Sequence, residues 1–141
     1  MSKEIDSIVE IMYLAANSDG NFKPIEERVI FAKINTYLPV FKGTDQKQIT
    51  RIKEELRDRI KRQSLEQILD YYAKNISDPL KITAYAYALE ICARDFELHE
   101  AEIRFLKLLN SKFKIPKSAH QALLKSINIR CITKFDTTDI F

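Results

Sequence analysis

About seven stretches of the chain set apolar side chains three and four residues apart, the spacing that gathers them on one face of a helix. The first runs from about Lys3 to Asn17. Ile5, Ile8, Val9, Met12, Ala15 and Ala16 hold the helical spacing, and Ile11, Tyr13 and Leu14 fill most of the other side. A helix this apolar belongs at the centre of a fold. Ser18, Asp19, Gly20 and Asn21 then break it, because Gly20 admits a left-handed turn and Asp and Asn compete for local backbone hydrogen bonds.

A second helix is expected from Pro24, suited to a first helical position, to Leu38, before Pro39, with Val29, Ile30, Ile34, Tyr37 and Leu38 inward. Thr44 is placed to cap a third, whose stripe is Ile49, Ile52, Leu56 and Ile60, with Glu55 and Arg59 forming an i,i+4 pair. Ser64, with Gln67 three residues on, reads as a capping box for a fourth helix through Leu65, Ile68, Leu69, Tyr72 and Ile76. Asp78 before Pro79 reads as the cap of a fifth, Leu80 to Arg94, again apolar nearly all round and so a second central helix. An acidic break, Asp95 to Glu97, precedes a sixth helix from about His99 to Lys112. Pro116 opens a seventh through Ala119, Leu123, Leu124 and Ile127, and the tail from 128 to 141 is β-branched, lacks a stripe and is assigned irregular structure.

Composition supports this reading. Two glycines and four prolines in 141 residues are too few for the turns of an all-β chain, and 45% hydrophobic residues supply one core, so residues 1–141 are read as a single all-α domain. The formal charge of +3 is near balance, which argues against a nucleic-acid binder. The basic excess falls in residues 43–63 and 114–141. Arg51 to Arg62 is the best segment for an anionic partner, but acids are interleaved and no aromatic side chain stands among them to stack a base, so a solvated face is expected.

Cys92 lies in an apolar helical pattern and is expected as a buried, reduced thiol. Acids at Glu4, Asp6 and Glu10 do not suit a signal peptide, and the uncharged runs Ile11 to Ser18 and Ile82 to Leu89 are too short to span a bilayer, so a cytoplasmic location is expected, with peripheral membrane contact left open. His99 and His120 stand apart from any zinc spacing and are expected at the surface or in caps. The tyrosine pairs Tyr71 with Tyr72 and Tyr85 with Tyr87 are expected to contribute to the core.

Shifted by 76 residues, AANSDGNFKPIEERVI aligns with ICARDFELHEAEIRFL: Asp19 meets Asp95, Glu26 meets Glu102 and Arg28 meets Arg104. Each copy is an apolar helix, an acidic break and a helix that starts with glutamate. In ANSDGNFKPIEE and, more weakly, ARDFELHEAE, the chain resembles the TerB-like family, named for tellurite-resistance protein B. It departs in having Ser18 for the usual alanine, Phe96 for the second glycine and Glu100 where the first copy has Pro24. The resemblance implies a helical bundle with a pseudo-twofold internal repeat, about 5–40 and 78–114 here. It also implies a stress-associated, tellurite-resistance-like setting, no established catalytic activity, and a divalent cation held by the acidic loops through Asp19, Glu26, Asp95 and Glu102.

Oxygen ligands alone suit Ca²⁺, Mg²⁺ or Mn²⁺ rather than zinc, and the spacing is not that of an EF-hand. The same residues also have a purely structural reading. With Lys23 and His99 as N-caps, Glu26 and Glu102 fall at the third helical position, where a carboxylate reaches back to the cap amide. The expected function is therefore a non-enzymatic module that binds a protein partner through its helical surface and a cation through its loops. A metal-dependent phosphoester hydrolase and a purely structural adaptor using the tail are the alternatives. Oligomeric state does not follow from the sequence.

Overall fold

A computed structural model describes residues 3–18, 30, 32, 45–93 and 98–131. Among them the chain is all-helical: α1 (Lys3–Ala16), α2 (Gln46–Arg62), α3 (Leu65–Asn75), α4 (Asp78–Cys92), α5 (Glu100–Phe113) and α6 (Lys117–Cys131). The second predicted helix lies outside the described residues except for Ile30 and Ala32, both helical, with Ile30 fully buried.

α1 is central, as its pattern requires. Every residue from Ser7 to Ala16 is buried, which a helix achieves only when neighbours cover it on all sides. α4 packs along it most extensively, α2, α3 and α5 cover its other faces, and α6 packs on α4. The two apolar helices run parallel. At one end the Ser77 amide, at the N-terminus of α4, donates to a Glu4 carboxylate oxygen in the first turn of α1 at 2.7 Å. At the other end the Cys92 thiol, in the last turn of α4, points to the Ala15 carbonyl of α1 at 3.8 Å. Cys92 is the buried free thiol expected. Tyr72, Tyr85, Leu69, Leu89 and Ile91 complete one continuous core, in which each fully buried aliphatic side chain stabilises by roughly 1.5–3 kcal/mol.

The helix ends show how local chemistry sets the boundaries. α2 starts one residue later than Thr44 would have it, because Asp45 is extended and its carboxylate accepts from the Gln48 amide at 2.9 Å. Ser64 and Gln67 form the reciprocal capping box at the start of α3, at 3.2 and 2.9 Å. α4 begins earlier than its proline suggests: Ser77 is the N-cap, and Asp78 lies inside the first turn with its carboxylate 3.2 Å from Lys81 Nζ. α5 stops at Lys114, which takes the left-handed conformation (φ 52°, ψ 51°), while the Ile115 amide bonds back to the Asn110 carbonyl.

Two further expectations fail at this level. Residues 128–131 are helical, because β-branched Ile127 and Ile129 lower helix propensity only weakly and no glycine or proline stops α6; residues 132–141 lie outside the described residues. Ile60, placed in the buried stripe of α2, is 44% exposed. Ser64→Ala removes one half of the α3 capping box at an exposed position, so urea unfolding should register a loss of about 1 kcal/mol with an unchanged denaturant slope.

Candidate functional site

The parallel packing of α1 and α4 sets their carboxyl ends side by side. The Ala15 carbonyl is the focus of that end: the Ser18 amide reaches it at 3.3 Å, the Ser18 hydroxyl at 2.9 Å and the Cys92 thiol at 3.8 Å. Across the gap the Ala93 amide closes the last turn of α4 on the Leu89 carbonyl. Neither helix carries a basic side chain in its last turn, so the negative ends of two helix dipoles adjoin without a neighbouring cation on either helix. Both acidic breaks depart from this end. Asp19, Glu26 and Asp95 themselves lie outside the described residues, as do Asn21 and Glu97.

Glu102, the fourth predicted ligand, is 1% exposed. Its Oε1 accepts from the His99 amide at 3.1 Å, which is the reach-back bond of a capping residue at the third helical position. His99 Nε2 stands 4.0 Å from the same oxygen, and its ring is partly exposed, in keeping with the expected cap. Among the described residues no three His, Cys, Asp or Glu side chains gather at a spacing that would hold a metal ion.

A polar cluster not anticipated from the sequence lies inside the bundle. Glu10, in the middle of apolar α1, is 5% exposed and accepts from Arg59 of α2 at 2.7 Å. Arg59 thus serves this buried carboxylate rather than Glu55, which pairs with Arg51 at 3.1 Å, and Arg51 in turn reaches Asp6 at 3.4 Å. The Arg59 guanidinium also lies 5.4 Å from the ring centroid of Tyr71. Burial pushes the Glu10 carboxyl up to about 7; Arg59 and Tyr72 oppose the shift, and Glu55 and Asp6 add to it. Burial and the neighbouring Glu10 likewise hold the Tyr72 phenol well above its ordinary value. The cluster ties α1 to α2 and α3 at a helix interface. The signal for it in the sequence is a single carboxylate inside the apolar run Ser7–Ala16.

His120 is also buried, contrary to the surface or capping role expected. Its Nδ1 is 3.0 Å from the Tyr85 hydroxyl, and burial holds its pKa below the usual histidine value. Tyr72 and Tyr85 are core residues as expected, whereas Tyr71 is 40% exposed.

Two clefts share Leu14, Asn17 and Ile60 and so form one trough beside the carboxyl end of α1, with volumes of about 430 and 190 Å³. Arg104 of α5 borders the larger part, and Lys53 and Arg57 of α2 border the smaller. A separate cleft of about 610 Å³ lies where α3 and α5 end and α4 begins. Of its four lysines, Lys81 and Lys112 are neutralised by Asp78 and Asp70.

The Glu10 cluster makes stability depend on pH. The folded chain retains a proton that the unfolded chain releases near pH 4.5, so the burial of Glu10 is least costly below that pH. Stability should fall as pH rises from 4.5 through about 7 and then level, by roughly 3 kcal/mol if Glu10 acts alone. Urea unfolding of the native chain and of Glu10→Gln across that range checks this, with the variant expected to lose most of the slope. Comparisons of the chain with family models, with curated proteins and with solved structures return no match.

Proposed function

We propose that the chain is a non-enzymatic, TerB-like, stress-associated helical module whose acidic loops hold a divalent cation and whose helical surface binds a protein partner. One observation carries the cation half: the parallel pairing of α1 and α4, which makes both acidic breaks depart from the same end of the bundle. Asp19 follows the last residue of α1 by three positions, and Asp95 follows the last residue of α4 by the same three. The chain spans at most about 10 Å in three residues, so each carboxylate is tethered close to its own helix end.

The electrostatics favour the same reading. Two adjoining helix C-termini contribute roughly half a negative charge each, and backbone carbonyls are oxygen ligands of the kind a hard cation accepts. Glu102 contributes less than its match with Glu26 implies, because one of its oxygens already accepts from the His99 amide.

Calorimetric titration with Ca²⁺, Mg²⁺ and Mn²⁺ tests the cation. The native chain should give saturable heat with at least one ion, and Asp19→Ala with Asp95→Ala should abolish it. Glu102→Gln, which retains an oxygen for the His99 amide, should weaken binding by less than about tenfold, the equivalent of 1.4 kcal/mol. No heat with any of the three ions overturns the cation half and leaves the loops as two capped helix starts.

A further inference from the structure

The trough beside α1 pairs an apolar floor with a cationic rim. Ile60 and Leu65 are 44% and 36% exposed, two of the few large apolar side chains that the described residues leave open to solvent, and they lie in the same depression as Leu14 and Leu108. Three cations border it: Lys53 and Arg57 from α2, and Arg104 from α5. No carboxylate lines either part among the described residues. Arg104 is partly balanced by Glu100 at 3.2 Å on its outer side, and Arg57 makes no ion pair among the described residues. α2 therefore has two working faces. Ile49, Ile52 and Leu56 pack into the body, with Arg59 spent on Glu10, while Lys53, Arg57 and Ile60, at helical spacing, edge the trough.

From this juxtaposition we infer that the trough is a docking site for an acidic amphipathic segment of a partner protein, its apolar side chains seated over Ile60 and Leu65 and its carboxylates against Arg57, Arg104 and Lys53. The inference rests on the partner-binding half of the proposed function and names the partner's chemistry. An exposed apolar floor gains by excluding water, while arginine on the rim selects carboxylates through paired hydrogen bonds. A bare polyanion such as nucleic acid would leave the apolar floor uncovered, and the two aromatic side chains that line the trough, Tyr13 and Phe105, are buried and offer little open face to stack a base.

Panning a random peptide display library on the full chain tests this directly. The expected outcome is enrichment of sequences that combine apolar residues at i and i+3 or i+4 with Asp or Glu between them. A synthetic copy of the enriched peptide should bind the native chain and lose at least tenfold in affinity against Arg57→Glu with Arg104→Glu, and again against Ile60→Ser. All three positions are exposed, and helical content by circular dichroism should be unchanged in the variants. Cation heats should match those of the native chain in Ile60→Ser, which changes no charge beside the loops, and this separates failure of the trough from failure of the loops. Enrichment of basic or uncharged sequences, no enrichment, or equal affinity for the variants overturns the inference. So does the pairing of an empty panning result with binding of phosphatidylserine vesicles or a single-stranded oligonucleotide that the arginine reversals abolish.

Discussion

The fold depends on covering α1. A helix buried over ten consecutive residues cannot use one face for the core and the rest for solvent, so the molecule must supply neighbours in every direction. α4 takes the largest share, and because it is itself apolar nearly all round, the pair forms a parallel spine with α2, α3, α5 and α6 arranged about it. Parallel packing has a consequence that antiparallel packing would not. It brings like ends of the two helices together, so that Glu4 meets the N-terminus of α4 at one pole while two carboxyl ends, neither with a basic side chain in its own last turn, meet at the other.

Glu10 shows the cost of such complete burial. An ionised carboxylate at the centre of a covered helix would lose its hydration, and Arg59 at 2.7 Å makes up only part of that loss, so the carboxyl holds its proton toward neutral pH. The demand for Arg59 propagates outward. Glu55 turns to Arg51, and Arg59 spans from Glu10 to the face of Tyr71, which locks α2 and α3 onto α1 at one rotation. With α2 fixed there, Ile60 faces the trough rather than the core.

The helices were legible where a period and a cap agreed. Ser64 with Gln67, and His99 with Glu102, mark starts through bonds that reach only three residues, and such bonds depend little on the rest of the fold. What depended on distant partners was not legible. Glu55 and Arg59 have ideal spacing for each other, but the partner of Arg59 lies 49 residues away, and no local pattern weighs a buried carboxylate against an exposed one. The exposure of Ile60 and the burial of His120 fail for the same reason. Residues 128–131 mark the limit of propensity, since β-branching disfavours a helix only weakly and Ile129 is helical although 68% exposed. Of the four residues predicted to form the acidic site, only Glu102 lies among the described residues, at the capping position its spacing implies.

That capping bond divides the acidic repeat into two unlike halves. A glutamate three residues into a helix is favoured by the dipole and by the amide it accepts from, so helix formation alone accounts for Glu102, whereas Glu26 lies outside the described residues. Helix formation does not account for the aspartates. Asp19 and Asp95 each follow a helix carboxyl end by three residues, where the dipole disfavours negative charge, and neither helix places a lysine or arginine in its last turn to offset it. A lone acid there is an ordinary loop residue. Two acids at matched offsets in the sequence follow two helix ends that the packing holds side by side, and in the function proposed above a divalent cation would offset their like charge. The case for a cation therefore rests on the aspartates rather than on the four carboxylates equally.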